Sequence, residues 1–252
     1  MTRPGSTLFA LIIQFIPAFL FLFSTHGYAE KTHDGHIHYN EDVWSLITTE
    51  RAIELLEQND IERAIVSSTP NTGTEKLYQA APERIIPFLR PYRTFRDRYT
   101  WHSDPDIINR LEQELSSGIY RGFGEFHLFR EHKDTPVIQK VMQLVKSHNL
   151  TVSAHADAET IESLTTRQPG ITVIWAHCGM DHPVQDIQRL INQYNNLYCE
   201  LSFREGITDE NNDQISQEWK TLFETYPERF MLGMDTYTPG QWMNLPELTE
   251  IA

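Results

Sequence analysis

Short apolar runs alternate regularly with helix-like segments between residues 34 and 235 of this chain. Runs such as Ile171–His177 are rich in β-branched residues and have the length of strands, and the segments that follow them have helical spacing. Alternation of this kind is typical of βαβ units, which place their strands in a parallel sheet. Eight such units, in about 200 residues or more, suit a closed barrel. The sequence therefore predicts an α/β fold, a (β/α)8 TIM barrel.

The predicted barrel has eight strands but an incomplete eighth helix. The strands are predicted at residues 34–39, 61–68, 85–90, 120–126, 150–155, 171–177, 197–202 and 230–235. Seven helices are predicted at residues 45–58, 75–81, 105–115, 136–148, 158–167, 183–194 and 214–225. The 17 residues after Asp235 include Pro239, Gly240 and Pro246, so only Glu247–Ala252 could begin an eighth helix. We therefore expect one side of the barrel to be poorly covered.

The first 29 residues have the pattern of a signal peptide. Arg3 supplies a positive charge, Leu8–Phe23 is a nearly unbroken apolar run, and the small residue Ala29 suits a cleavage site. The apolar run is shorter than the about 20 residues that a membrane-spanning helix needs. We expect a signal peptide over residues 1–29 and export, to the periplasm, of a single barrel domain over residues 30–252. An uncleaved membrane anchor is the alternative.

The charge of the chain bears on its partners. The formal net charge is −14, and no cluster of basic residues stands out that could neutralise phosphates. Nucleic acid is therefore not an expected partner. A small-molecule substrate is expected instead, with no membrane contact after signal cleavage.

The chain has two cysteines, Cys178 and Cys199, which lie near two successive predicted strands. A disulfide between them is conceivable. Buried reduced thiols are the simpler interpretation, because free cysteine commonly behaves as a small buried apolar residue.

His36 and His38 lie two residues apart in the first predicted strand, so both side chains point to the same face. Four more potential metal ligands lie at the ends of later predicted strands: Glu125, His155, His177 and Asp235. The C-terminal ends of barrel strands converge on one mouth, where unpaired buried charges would be very costly. A divalent cation would satisfy these residues together. Imidazole and carboxylate ligands suit zinc best, with manganese, nickel and iron as alternatives.

Each of these residues also has a simpler explanation when it is taken alone. His155 and Asp235 could cap a following helix, His177 could satisfy loop carbonyls, and Glu125 could form an ion pair with a nearby arginine. Their joint occurrence at the strand ends is what favours a metal site.

The sequences around these residues resemble the amidohydrolase superfamily. They read DGHIH, RGFGEFH, TVSAHAD, VIWAHCGMDHP, NLYCELSF and RFMLGMDTY, and the resemblance extends over residues 32–238. The amidohydrolase-related (amidohydrolase 2-like) branch of metal-dependent hydrolases is the most similar, and the glutamate of the fourth strand resembles that of TatD-type hydrolases.

The resemblance implies a (β/α)8 barrel in which one or two divalent metal ions activate a water molecule. It assigns metal binding to His36, His38, His155, His177 and Asp235, and a bridging position at a second ion to Glu125. Catalysis is assigned to Asp235, as the proton acceptor, and to His177. One departure from the family is that the fourth predicted strand has no lysine that could be carboxylated, so a second ion would depend on Glu125.

Substrate selection is predicted near the ends of the third and fourth strands. The segment Pro91–Asp104 is long, has no helical period, and is rich in arginine and aromatic residues. Arg90 and Arg93 could bind a carboxylate or phosphate through two parallel hydrogen bonds. His127 lies two residues beyond Glu125 and could line the same pocket. The alternative is that these arginines form a solvated face and that His127 is a loop residue.

The predicted function is metal-dependent hydrolysis of an amide, a lactone or an ester. A metal-dependent decarboxylase, a lyase of the same superfamily, is the main alternative, and the glutamate of the fourth strand favours hydrolysis over it. A catalytically inactive, exported metal-binding barrel is the third possibility.

Overall fold

Eight parallel strands follow one another around the barrel in chain order. The structure is a computed structural model, and it describes residues 31–209 and 214–245. The strands are β1 (Thr32–Ile37), β2 (Ile61–Val66), β3 (Ile85–Leu89), β4 (Gly122–Leu128), β5 (Thr151–Ala156), β6 (Val173–Trp175), β7 (Leu197–Glu200) and β8 (Phe230–Met231). The predicted TIM barrel is confirmed, whereas the predicted signal peptide lies outside the described residues. Within residues 31–209 and 214–245, no helix is long and apolar enough to span a bilayer.

The barrel closes between β8 and β1 through a short set of hydrogen bonds. The N–H of Gly35 donates to the carbonyl of Leu232 at 2.8 Å, and the N–H of His38 donates to the carbonyl of Thr236 at 2.8 Å. Gly35 permits this approach, because a Cβ at this position would lie 2.9 Å from the Leu232 carbonyl oxygen. β8 ends at Met231 instead of continuing to residue 235 as predicted, so the seam is an incomplete ladder.

A helix follows each strand along the chain. The helices are α1 (Thr49–Gln58), α2 (Thr72–Ala80), α3 (Ile107–Leu115), α4 (Pro136–Ser147), α5 (Ala158–Arg167), α6 (Val184–Gln193), α7 (Gln217–Thr225) and α8 (Pro239–Met243). Most boundaries lie within three residues of the predicted ones. α3 begins after the predicted Pro105, because the Asp104 carboxylate accepts the N–H of Asp106 at 3.0 Å in a turn that precedes the helix.

The chain after β8 forms a helix earlier than predicted. α8 begins at Pro239, where the missing N–H is not needed, and Thr238 is its N-cap. The expectation that this proline and the following glycine would prevent a helix is therefore wrong. Trp242 of α8 is fully buried, and its Nε1 donates to the carbonyl of His38 at 3.0 Å, so α8 packs against the end of β1. The predicted helix over residues 247–252 lies outside the described residues.

The two cysteines form a disulfide, Cys178–Cys199, so the interpretation of reduced thiols is wrong. β6 and β7 are neighbours in which Trp175 pairs with Cys199, and the turn after β6 brings the two cysteine Cα atoms to 4.7 Å. This separation suits a disulfide, and it depends on a strand register that the sequence alone does not reveal. The bond ties the turn that carries His177 to β7.

Candidate metal centre

The six predicted metal ligands meet at the C-terminal end of the barrel. Five of them line a cavity of about 310 Å³, and His36 adjoins it, with its Nε2 3.1 Å from Nε2 of His38. His36 and His38 lie at and just beyond the end of β1, Glu125 in the middle of β4, and His155 near the end of β5, while His177 and Asp235 lie in the segments that follow β6 and β8. The structure therefore brings together side chains that are separated by about 200 residues in the sequence, as the convergence of barrel strands requires.

His36 and His38 point from the same face at the end of β1, and the protein fixes a proton on each ring. Nδ1 of His36 donates to Oε2 of Glu200 at 2.8 Å, and Nδ1 of His38 donates to the carbonyl of Ser67. Ionised carboxylate and carbonyl oxygens only accept, so both rings carry a proton on Nδ1. The two Nε2 atoms then face each other across 3.1 Å. Only a positive charge between them, a metal ion or a proton, relieves the repulsion of their lone pairs.

Asp235 completes a triangle of ligand atoms with these two histidines. Its Oδ1 lies 3.1 Å from Nε2 of His38 and 3.5 Å from Nε2 of His36. A tetrahedral zinc ion with bonds near 2.1 Å separates its ligand atoms by about 3.4 Å. The three observed separations of 3.1, 3.1 and 3.5 Å are close to that value, so the triangle has the dimensions that one divalent cation requires.

Glu125, in β4, lies between two groups of histidines. Its Oε2 is 3.4 Å from Nε2 of His38 and 3.6 Å from Nε2 of His36. Its Oε1 is 3.2 Å from Nδ1 of His155 and 3.5 Å from Nε2 of His177. One carboxylate therefore turns an oxygen toward each group, which is the arrangement expected of a ligand that bridges two ions.

Arg90 holds Glu125 in this position. Its Nη2 donates to Oε2 of Glu125 at 2.9 Å, and its Nε donates to the Glu125 carbonyl at 2.9 Å. Both side chains are nearly buried. Arg90 was predicted to bind substrate, and it does line the cavity, but its guanidinium is engaged by Glu125.

His177 and His155 make up the second group. Nδ1 of His177 donates to the carbonyl of Ser202 at 2.9 Å, which leaves its Nε2 for a metal. That Nε2 lies 4.0 Å from Oδ2 of Asp235. His155 instead turns Nδ1 toward Glu125, and its side chain is 22% exposed. The second group is thus wider and more open than the triangle formed by His36, His38 and Asp235.

The charges around the site favour a cation. Burial disfavours the charged form of His36, but Asp235, Glu200 and Glu125 together raise the pKa of this imidazole well above its usual value. Burial also opposes ionisation of Glu125 and Asp235, yet the charge of His36 and hydrogen bonds from neighbouring histidines hold the pKa of both carboxyls below the usual range. The site therefore keeps its carboxylates ionised and stabilises positive charge between them.

Glu200, at the end of β7, is a site residue that was not predicted from the sequence. Besides His36, it binds the N–H of His177 at 3.2 Å and the N–H and Oγ of Ser202 at 2.5 and 2.9 Å. Gly233 makes room for it, because a Cβ there would lie 2.3 Å from Oε1 of Glu200. In the sequence, the indication of a role for Glu200 is that a glutamate follows the apolar residues LYC of NLYCELSF. Such carboxylates orient metal-binding histidines through the nitrogen that faces away from the metal.

Of two arginines in the loop after β3, the one that was not predicted from the sequence lines the cavity. Arg93, predicted to bind substrate, is 59% exposed, pairs with Asp97 and Asp104 at 3.2 and 3.3 Å, and does not line the cavity. Arg98, which was not predicted, lines the cavity, and its guanidinium lies 4.5 Å from the centre of the Tyr99 ring. Among the described residues Arg98 has no carboxylate partner. Arg98 belongs to a 3₁₀ turn over Phe95–Tyr99, unexpected from the sequence, whereas Arg93 precedes that turn.

His127 lines the cavity, where the sequence placed it. Its ring stacks on that of His155 with 4.4 Å between the centroids, and its Nδ1 lies 3.1 Å from the hydroxyl of Tyr92. Burial lowers the pKa of His127 to about 3, so this ring is neutral. The remaining apolar lining consists of Phe95, Met180, Phe203 and Tyr237.

Sequence comparison links the chain to one family. A family model described as amidohydrolase matches residues 104–250. The match includes Glu125, His155, His177 and Asp235 and begins after the strand that carries His36 and His38. No curated protein sequence matches the chain.

Three solved structures share the fold. A probable 2-pyrone-4,6-dicarboxylic acid hydrolase from Acinetobacter baumannii, with citric acid bound, is 18% identical and has a TM-score of 0.57. The alignment covers 88% of this chain and 93% of that hydrolase. A TatD homologue from Escherichia coli is 12% identical, with a TM-score of 0.54 and coverage of 87% of this chain and 89% of the homologue. A TatD family hydrolase from Entamoeba histolytica is 12% identical, with a TM-score of 0.52 and coverage of 81% of this chain and 74% of the hydrolase. At these identities the likeness shows the fold alone.

Proposed function

Because this chain belongs to the amidohydrolase family, we propose that it is a metal-dependent hydrolase of a small amide, lactone or ester. The observation that carries the proposal is the triangle of His36 Nε2, His38 Nε2 and Asp235 Oδ1, with separations of 3.1–3.5 Å. Both histidines have Nδ1 hydrogen-bonded to protein oxygens, so the free nitrogens are oriented before any ion binds.

The donor atoms suit a divalent cation, most of all zinc, which binds imidazole nitrogen and carboxylate oxygen. His36, His38 and Asp235 would hold the first ion. Glu125, His155 and His177 would hold a second. A cation held here would lower the pKa of a water molecule from about 15.7 toward about 7 and would polarise a carbonyl oxygen.

Asp235 is the proposed proton acceptor. It lines the cavity, and its two oxygens face the two groups of histidines, with Oδ1 3.1 Å from His38 Nε2 and Oδ2 4.0 Å from His177 Nε2. The lowered pKa of Asp235 keeps it ionised at neutral pH. It can therefore take a proton from the attacking water and return it to the leaving group.

The cavity supports a small substrate with an apolar body and an anionic or strongly polar group. Its volume of about 310 Å³ is at the lower end of the range for small-molecule sites. Arg98 offers a guanidinium without a carboxylate partner among the described residues, beside the apolar side chains of Phe95 and Phe203. A structurally similar protein is named a hydrolase of a dicarboxylic acid and holds citric acid, which supports hydrolysis as the type of reaction.

We also propose that the protein works outside the reducing cytoplasm. The pattern of residues 1–29 predicts export, and the disulfide Cys178–Cys199 supports an oxidising compartment such as the periplasm, where such bonds persist.

The test combines metal analysis with a substrate panel. The purified protein is analysed for bound metal and then assayed, with zinc and with manganese, on 4-nitrophenyl acetate, δ-valerolactone, N-acetylglycine and 2,6-dihydroxybenzoate. We expect one or two divalent ions per chain and hydrolysis that a chelator abolishes and added zinc restores. Release of carbon dioxide without hydrolysis would establish the decarboxylase instead. Bound metal without turnover of any compound would favour an inactive barrel, and hydrolysis that resists the chelator would refute metal dependence.

A further inference from the structure

Tyr92 and His127 form a pair of hydrogen-bonding groups in the wall of the cavity. The phenol oxygen of Tyr92 accepts the backbone N–H of His127 at 2.6 Å and lies 3.1 Å from Nδ1 of the same residue. Tyr92 is 2% exposed, whereas the ring of His127 lines the cavity. Within the described part of the chain, Nδ1 of His127 is the only hydrogen-bond acceptor in reach of the Tyr92 hydroxyl proton.

These contacts fix the position of the proton on the His127 ring. A buried hydroxyl that finds no acceptor is costly, so the Tyr92 hydroxyl donates to Nδ1 of His127. Nδ1 can accept only when it carries no proton, and a neutral imidazole then carries its proton on Nε2. This is the opposite tautomer to that of His36 and His38, whose Nδ1 atoms donate to protein oxygens.

We infer that His127 donates a hydrogen bond from Nε2 to the carbonyl oxygen of the substrate and is not a metal ligand. The inference rests on the proposed function, because it concerns the same cavity. Nε2 of His127 has no hydrogen-bond partner among the described residues, and the stack on His155 holds the ring in place. An oriented donor of this kind stabilises an oxygen on which negative charge develops, without rearrangement during the reaction.

The contacts between Tyr92 and His127 also argue against a metal site formed by Glu125, His127 and His155. Glu125, His127 and His155 each offer an atom within 4.8 Å of the others, which by distance alone would suit a cation. A metal needs a lone pair on the imidazole. With the Tyr92 hydroxyl donating to Nδ1 and a proton on Nε2, His127 has none to offer. Tyr92 is therefore a positioning residue that keeps His127 as a donor.

The first test is spectroscopic and needs no substrate. The full chain, labelled with ¹⁵N-histidine and loaded with zinc, is examined by long-range ¹H–¹⁵N spectra, and His127 is assigned by the loss of its signals in His127→Leu. We expect the Nε2–H tautomer in the parent protein and a shift toward Nδ1–H in Tyr92→Phe, which keeps the ring and removes the hydroxyl. A proton on Nδ1, or a metal-bound nitrogen, in the parent protein would overturn the inference.

The second test separates a donor from a ligand. In His127→Leu the zinc content should equal that of the parent, while kcat/KM for the fastest ester or lactone of the panel should fall about 10²–10³-fold, as for the loss of one oxyanion donor. His127→Gln keeps an amide donor and should retain more activity than His127→Leu. His148→Leu, at an exposed histidine on the C-cap of α4, is the control and should match the parent.

The outcomes distinguish this inference from the proposed function. Loss of one zinc ion in His127→Leu would make His127 a ligand and overturn the inference. A parent enzyme that hydrolyses the panel while His127→Leu keeps its full rate would also overturn it and leave the proposed function intact. If the parent protein hydrolyses nothing, the proposed function fails, and the tautomer and the zinc content still decide whether His127 is a fixed donor.

Discussion

The two sides of the cavity differ in how firmly they hold their ligand atoms. On the β1 side, His36 and His38 are each 3% exposed, and each ring has its Nδ1 proton bound by a protein oxygen. On the β4–β5 side, the His155 side chain is 22% exposed, and Glu125 is shared between Arg90 and the histidines. The ligand atoms of the β1 side are therefore oriented before an ion binds. The β4–β5 side depends on the single carboxylate of Glu125, which Arg90 also binds.

This difference indicates that the two proposed ion positions are unequal. Affinity for a metal depends on how well the surrounding protein orients the ligands in advance. We therefore expect the β1 side to bind its ion tightly and the β4–β5 side to bind a second ion more weakly. The difference between the two ion positions can be tested with variants of residues that contact one side of the cavity, both sides or neither.

Asp235 faces both sides, so its loss should have the largest effect. Asp235→Asn keeps the shape and one oxygen but removes the base, and loss of a general base typically costs 10²–10⁴-fold in rate. We expect kcat to fall by that order on the best substrate of the panel, with an unchanged circular dichroism spectrum. A folded variant that keeps more than about a tenth of the parent rate would remove Asp235 from the mechanism.

Glu200 serves the β1 side, because it accepts the Nδ1 proton of His36. Glu200→Gln replaces an acceptor by an amide that cannot satisfy all of its present donors. Loss of such an orienting partner typically weakens metal binding about 10–100-fold. Zinc competition with a chelator should show this loss, while Glu205→Gln, at an exposed carboxylate of the following turn, should bind zinc as the parent does. Equal zinc affinity in Glu200→Gln would show that Glu200 has no role in orienting His36.

Glu125 serves mainly the second ion. In Glu125→Gln we expect the zinc content at saturation to fall from two ions to one, because a neutral amide bridges two cations poorly. The tighter of the two binding steps should remain. Glu131→Gln, exposed in the segment after β4, is the matched control. One ion per chain in the parent, with full activity in Glu125→Gln, would show that Glu125 orients other ligands and does not bridge.

The convergence of the candidate metal ligands could be predicted from the sequence, because the strands of every such barrel end at one mouth. Residues at the C-terminal ends of parallel strands meet whatever the helices between them contain, so His36, His38, Glu125, His155, His177 and Asp235 could be expected to lie together. Glu200, at the end of β7, was not among the residues predicted to bind metal. Its role depends on the space above Gly233, which only the packed barrel reveals.

Features that depend on local geometry escaped prediction. Arg93 and Arg98 are chemically equivalent in the sequence, but only Arg98 lies within the 3₁₀ turn over Phe95–Tyr99 and reaches the cavity. The Cys178–Cys199 pair depends on the register of β6 and β7. α8 begins at Pro239, a residue that ends helices elsewhere but is favoured in their first turn.

The smallest expected effect concerns the protonation of Asp34, which contacts the backbone of His36. The carboxylate of Asp34 accepts the N–H groups of His36 and Met234 at 2.9 and 3.1 Å. Burial raises the pKa of Asp34 to about 7, although these two hydrogen bonds lower it. The folded protein thus retains a proton that the unfolded chain, with a pKa of about 3.9, has released, and stability falls as the pH rises from about 4 to about 7.

Asp34→Asn cannot ionise and removes this dependence. Between pH 6 and 7, the free energy of unfolding of the metal-free parent should fall by about 1 kcal/mol relative to the variant. Urea denaturation at several pH values measures this difference. Parallel pH profiles for the two proteins would contradict the protonated state of Asp34.

The most direct measurement is the position of zinc in crystals of the zinc-loaded protein, from anomalous differences recorded on both sides of the zinc absorption edge. The account predicts a peak about 2.0–2.2 Å from His36 Nε2, His38 Nε2 and an oxygen of Asp235. Zinc bound elsewhere, or no peak among these three atoms at saturating zinc, would contradict it.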